Sequence, residues 1–265
     1  MSWVRRILPV LAAVVLAAGC GSTTEPGSGS PAPTGSSSSS ALTGTVTVFA
    51  AASLTESFTA IAKKFEVAHP GLRVKLNFGA SSALALQINQ GAPADVFASA
   101  SVKNMTQVIT TNAVTASTNF ARNVMQIAVP PANPAAVTGI ADLATPGVKV
   151  ALCQSQVPCG ATAQKVFDKA KITVKAVTLE QDVKSTLIKV ETNEVDAAVV
   201  YVTDVRAAGA KVKGIQIPDA LNASTEYPIA VLREARNQAA AQAFTDYVLS
   251  GASQDVLAAA GFAKP

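Results

Sequence analysis

From about residue 45 onward, short apolar runs with strand character alternate with segments of helical period, and little else in the chain constrains its fold so strongly. "TVTVFA" (45–50), "RVKLNF" (73–78) and "DVFASA" (95–100) read as strands. So do "VMQIAV" (124–129), "VKVALC" (148–153), "VKAVTL" (174–179) and "AAVVYV" (197–202). Between them lie helical stretches at 54–69, 82–90, 102–110, 162–170 and 183–192. In the first of these, Phe58, Ile61, Ala62 and Phe65 recur at helical spacing. After "PIAVL" (228–232) come two closing helices, at 237–250 and 253–260. Such alternation implies an α/β fold, with mainly parallel sheets covered by helices on both faces. Ligands of such folds bind beyond the carboxyl ends of the strands, where helices begin.

The strand-to-helix turns are unusual in composition. "FAAASLTES" (49–57) passes from strand to helix through three alanines and Ser53. Ser53-Leu54-Thr55-Glu56 fits a capping box, with Ser53 and Glu56 satisfying early backbone N–H groups. The same turn also suits an anion, because free amides, the positive end of the helix dipole and a hydroxyl converge there. The device recurs. "FGASSALA" (78–85) carries Ser81 and Ser82, "VPCGATA" (157–163) carries Cys159, and "EQDVKST" (180–186) starts a helix at Asp182-Val183. Four helix starts following four strands can face one crevice. None has Lys or Arg at the turn, so the crevice would hold a compact anion with neutral donors. Glu56 and Asp182 are expected to turn outward as caps.

The N-terminus belongs to export rather than to the fold. "MSWVRR" followed by "ILPVLAAVVLAA" is a basic region and a short apolar run, the layout of a secretory signal over residues 1–19. "LAAGC" resembles a bacterial lipobox, which makes Cys20 the lipid attachment site; an ordinary signal peptide or an uncut anchor is the other reading. Residues 20–41 are Ser-, Gly- and Pro-rich with no large apolar side chain, and are expected to be a disordered tether. The protein is therefore expected at the cell membrane, lipid-anchored on its extracytoplasmic face.

Charge and cysteine content exclude several functions. Arg5 and Arg6 leave with the signal, which takes the formal charge from +4 to about +2. With no basic stripe and few aromatics, nucleic acid is not an expected partner. Cys153 and Cys159 lie close together in a chain expected to be exported, so they read as a disulfide. Zinc is a poor alternative, because Cys-x5-Cys is not a usual spacing and His69 is the single histidine. His69 sits at a helix end beside Pro70-Gly71 and reads as a surface cap. With no Gly-x-Ser-x-Gly elbow and no histidine near Ser53 or Ser81, a secreted hydrolase is a remote alternative. No cofactor is implied: there is neither a Gly-x-Gly-x-x-Gly nor a Walker loop.

"VFAAASLTESF", "FGASSALALQINQGAPADVFASA", "VPCGATAQKVF", "EQDVKSTLIKVETNEVDAAVVYVTD" and "EYPIAVL" resemble, in order and spacing, the periplasmic molybdate-binding proteins of bacterial ABC importers. The resemblance implies a two-lobed type II periplasmic-binding-protein fold with the ligand in the inter-lobe cleft. The change of block near Arg122-Asn123 and the helical ending after "EYPIAVL" place lobe one at 42–122 and 227–265, and lobe two at 123–226. The resemblance also implies molybdate or tungstate as ligand, an ABC permease as partner, no enzymatic activity and a monomer. The contacts it implies are the hydroxyls and backbone N–H groups of Ser53 and Ser81, the backbone N–H groups of Cys159 and Val183, and the Tyr201 hydroxyl. The third motif departs from the family by carrying Cys159 where a plain small residue is usual. A carrier of another tetrahedral oxyanion, such as sulfate or phosphate, is the alternative. Tyr201 can also be read as a core residue at a strand end.

Overall fold

A computed structural model describes residues 42–265. The expected signal peptide, the Cys20 anchor and the tether at 20–41 lie outside the described residues. The first third of the body forms β1 (Gly44–Ala51), α1 (Thr55–Ala68), β2 (Leu72–Gly79), α2 (Ser81–Asn89), β3 (Val96–Ala98) and α3 (Val102–Thr110). The chain continues through β4 (Thr118–Val129), β5 (Val150–Cys153), α4 (Pro158–Ala170), β6 (Thr178–Glu180) and α5 (Val183–Glu191). It ends with β7 (Ala197–Tyr201), α6 (Val202–Ala208), β8 (Lys213–Gln216), β9 (Ser224–Val231), α7 (Gln238–Leu249) and α8 (Gly251–Ala260).

Side-chain alternation along β1 explains the layering. Val46, Val48 and Ala50 point into one core, where Phe58 and Phe65 of α1 meet Phe244 of α7 and Leu257 of α8. Phe49 points the other way, into a second cluster with Leu84 and Ile88 of α2 and Met105 and Val108 of α3. Helices thus cover both faces of this sheet. Phe65 and Phe244 pack edge to face with ring centroids 5.2 Å apart. A separate, mostly aliphatic core gathers Ile127, Val150, Val166, Leu187, Val199 and Val200 from β4, β5, α4, α5 and β7.

The strands run in the order β2-β1-β3-β9-β4-β7-β5-β6, with β8 also paired to β4. β1 is parallel to β2 and β3, and β5 is parallel to β6 and β7. β4 and β9 are the antiparallel members that join the two parallel groups. β4 pairs with β9 over its first half, then with β7 and β8 from Gln126 to Ala128. A register shift between Asn119 and Ala121 bends β4 within the β9 pairing. The chain therefore crosses between the two cores along β4 and comes back along β9.

Several elements differ from the sequence expectation. The helix expected from Thr162 begins at Pro158, because proline at the first position has the right φ and no N–H to satisfy. β4 starts at Thr118 rather than Val124: its first half pairs with β9 but mixes exposed polar residues with the buried Phe120, Ala121 and Asn123, without a clean period of two. α6 and β8 have no counterpart in the sequence reading; both are short and mixed in polarity. His69 caps the C-terminal end of α1 as expected, its ring 4.5 Å from that of Phe65. Among the described residues no helix is long and apolar enough to cross a membrane.

Candidate functional site

The carboxyl ends of β1, β2, β5, β6 and β7 converge on one small cavity. Its wall includes Ala51, Ala52 and Ser53 after β1, Gly79, Ala80 and Ser81 after β2, and Ala100 after β3. Val157, Pro158 and Cys159 at the start of α4, Asp182 and Val183 at the start of α5, and Tyr201 at the end of β7 complete it. All five residues expected at the site, Ser53, Ser81, Cys159, Val183 and Tyr201, are therefore brought together, and each is buried. The cavity is small: the centre of a water-sized sphere can occupy only about 10 Å³ of it, which leaves room for a compact group and not for an extended one. No Lys or Arg lines it.

Local structure makes this wall a set of donors. Ser81 and Val183 are the first residues of α2 and α5, and Cys159 is the second residue of α4. Amides in a first helical turn have no intrahelical acceptor, and the helix dipole adds partial positive charge there. The alanines before Ser53 and Ser81 keep side-chain bulk away from these amides. The Tyr201 hydroxyl is buried and has no hydrogen-bond partner among the described residues. Burial pushes its phenol well above the usual value of 10, so it stays protonated and can donate.

Ser53 corrects one expectation. A short 3-10 turn, Ala52–Leu54, precedes α1, and the N-cap position falls on Leu54 with no side-chain cap. Ser53 and Glu56 therefore do not form a capping box. The Ser53 hydroxyl lies 2.8 Å from the Tyr227 hydroxyl instead. Glu56 turns out of the cavity but does not cap; it pairs with Lys184 of α5 at 2.9 Å. Asp182 does cap, its Oδ1 accepting the Ser185 N–H at 2.8 Å. The Ser81 oxygen accepts the Ala100 N–H at 2.9 Å, which ties the α2 turn to the end of β3.

Sequence reading missed Tyr227, although "EYPIAVL" was singled out, because its partner Ser53 is 174 residues away. It also missed the buried Asp204, which accepts the Tyr201 N–H at 3.1 Å and faces the Lys184 ammonium at 3.2 Å. Burial raises the Asp204 carboxyl to about 6, against the opposing pull of Lys184.

Cys153 and Cys159 are joined in a disulfide, with Cα atoms 5.8 Å apart. The bridge clamps the first turn of α4 onto the end of β5. Gly160 shows how close this approach is: a Cβ there would stand 2.1 Å from the Gln154 carbonyl oxygen. Closing so short a loop stabilises the fold by about 2 kcal/mol in the chain-entropy picture. A Cys153→Ser, Cys159→Ser double variant is expected to lose about that much in urea unfolding. An unchanged midpoint would mean the bridge adds nothing to the packing already present.

Residues 46–263 match the family described as bacterial extracellular solute-binding protein. The molybdate-binding protein of Mycobacterium tuberculosis is 37% identical over 268 residues, covering 100% of both chains. A putative ABC transporter substrate-binding lipoprotein of Bacillus subtilis is 31% identical over 265 residues, covering 96% of both. The periplasmic molybdate-binding protein of Azotobacter vinelandii has the same fold, with a TM-score of 0.75 over 83% of this chain and 99% of that one, at 18% identity. With a paired-core α/β body and helix starts converging on one cavity, the chain belongs to the bacterial extracellular solute-binding protein family.

Proposed function

We propose that this chain binds molybdate and tungstate outside the cytoplasm and delivers them to an ABC importer. The observation that carries this reading is the buried, unpartnered Tyr201 hydroxyl in a cavity walled by first-turn amides and two serines. A tetrahedral dianion has acceptor oxygens in every direction and no proton to place. Hydroxyls and amides complement it, whereas a salt bridge is unnecessary. The full-length similarity to the Mycobacterium tuberculosis protein supports molybdate as the ligand. The similarity to the Bacillus subtilis lipoprotein supports a lipid anchor at Cys20. In this reading Ser53, Ser81 and Tyr201 donate through hydroxyls, and Ser53, Ser81, Cys159 and Val183 through backbone amides. Lobe one (42–122 and 227–265) and lobe two (123–226) would close on the ion by flexing along β4 and β9.

Isothermal titration with molybdate, tungstate, sulfate and phosphate tests the proposal. Molybdate and tungstate are expected to bind at least micromolar, which needs about 8 kcal/mol. Sulfate and phosphate are expected to bind far more weakly. Tyr201→Phe removes one hydrogen bond to a charged ligand, so it should cost about 1.5–3 kcal/mol, roughly tenfold to a hundredfold in Kd. Sulfate binding as tightly as molybdate, or a Tyr201→Phe variant with wild-type affinity, would overturn this assignment.

A further inference from the structure

Behind Ser53 lies a line of buried polar groups that the ligand contacts do not account for. Tyr227, Asn123 and Thr203 are all buried, from β9, β4 and α6. The Asn123 Nδ2 lies 2.8 Å from the Thr203 hydroxyl and 3.4 Å from the Tyr227 hydroxyl, which in turn lies 2.8 Å from the Ser53 hydroxyl. The direction of these bonds can be worked out from their ends. The Asn123 Oδ1 accepts the Val124 N–H at 3.0 Å, so the amide end facing Tyr227 is the NH2 group. An amide NH2 only donates, and the Tyr227 oxygen must accept there. The Tyr227 proton then has one acceptor within reach, the Ser53 oxygen. If Ser53 donated to Tyr227 instead, the Tyr227 proton would be buried without a partner, which is costly. Burial also holds the Tyr227 phenol protonated, above its usual range.

With its oxygen accepting from Tyr227, and with no other hydrogen bond to the described residues, the Ser53 hydroxyl keeps its own proton free for an ion in the cavity it lines. We infer that Tyr227 and Asn123 are positioning residues that fix the Ser53 hydroxyl as a donor toward the bound oxyanion. Ser81 reaches the same state by a different route, since its oxygen accepts the Ala100 N–H. Each serine therefore meets the ligand with its proton, not its lone pairs, and no reorientation is needed on binding. That pre-organisation is where the gain in affinity arises.

This inference rests on the oxyanion-binding reading, and a double-mutant cycle separates the two. Molybdate affinity is measured for wild type, Tyr227→Phe, Ser53→Ala and the double variant, with thermal melting without ligand to confirm folding. Tyr227→Phe is expected to weaken molybdate binding about tenfold in the wild-type background and less than twofold in the Ser53→Ala background. A Tyr227 side chain that merely packs would cost the same in both, and equal losses overturn the inference. If Tyr227→Phe does not fold, Asn123→Ala takes its place in the same cycle, with a smaller loss that again vanishes in Ser53→Ala. If wild type ignores molybdate, the functional reading fails. The cycle is then run with whichever of tungstate, sulfate or phosphate binds, and binding of none removes both.

Discussion

A Ser53→Ala, Ser81→Ala double variant is expected to lose molybdate affinity by on the order of a hundredfold to ten-thousandfold. In the proposed binding mode each serine contributes one hydroxyl donor to a charged ligand, a hydrogen bond of about 1.5–3 kcal/mol. The two sit after different strands, β1 and β2, and bond different protein groups, Tyr227 and Ala100; they share only the ion, so the sum of two single losses is the scale of the effect and any coupling through the ion shifts it within that range. The backbone amides of both turns remain, which is why binding is weakened rather than abolished. The variant should also be less stable without ligand. Removing the Ser81 oxygen leaves the buried Ala100 N–H unpaired, and removing the Ser53 oxygen does the same to the Tyr227 proton, at about 1–3 kcal/mol each. Titration at a temperature well below the melting point separates the two effects. Wild-type molybdate affinity in this variant would mean the ion sits elsewhere.

How far the site was legible depends on whether its signals are local. The small residue followed by a helical period marks a helix start within about five residues of sequence, so Ser53, Ser81, Cys159 and Val183 could each be found at their turns. That they face one another follows from the parallel strands, whose carboxyl ends share one edge of a sheet. The role of Ser53 was the harder part. Ser-Leu-Thr-Glu carries the local pattern of a capping box, but the 3-10 turn at Ala52–Leu54 moves the helix start onward and frees the hydroxyl. What holds that hydroxyl, Tyr227, leaves no mark near it in sequence. Glu56 and Lys184 are likewise 128 residues apart, and only the folded chain sets them side by side. Short elements of mixed polarity, such as β8 and α6, were invisible because no period of two or 3.6 can establish itself over so few residues.

Lys184→Met is expected to destabilise the protein by about 3 kcal/mol at pH 7.5, and by clearly less at pH 5. Lys184 stands between Glu56 at 2.9 Å and the fully buried Asp204 at 3.2 Å. Burial opposes its charge, but Asp204 and Glu56 outweigh it and raise the ammonium above its usual 10.5. Taking the lysine away leaves a buried carboxylate with no countercharge, a loss of about 3–5 kcal/mol for such pairs, toward the low end here because Lys184 is 22% exposed. The pH dependence follows from Asp204. Its folded value of about 6 lies above the ordinary 3.8, so the folded state keeps a proton that the unfolded chain has released. Stability from this group is therefore greatest at low pH and declines as pH rises from about 4 to about 6. Without Lys184 the folded value climbs further, and the decline should continue past pH 6. Below that, Asp204 is neutral and the missing cation matters little. Because Glu56 lies on α1 and Lys184 on α5, the variant also cuts a link between the two cores, beside the Val183 amide. Molybdate affinity should fall with it. Urea unfolding at pH 5 and pH 7.5, with Asp204→Asn combined with Lys184→Met as the control that removes the difference, measures the effect. Equal losses at both pH values would show that Lys184 acts through packing of its chain and not through the buried carboxylate.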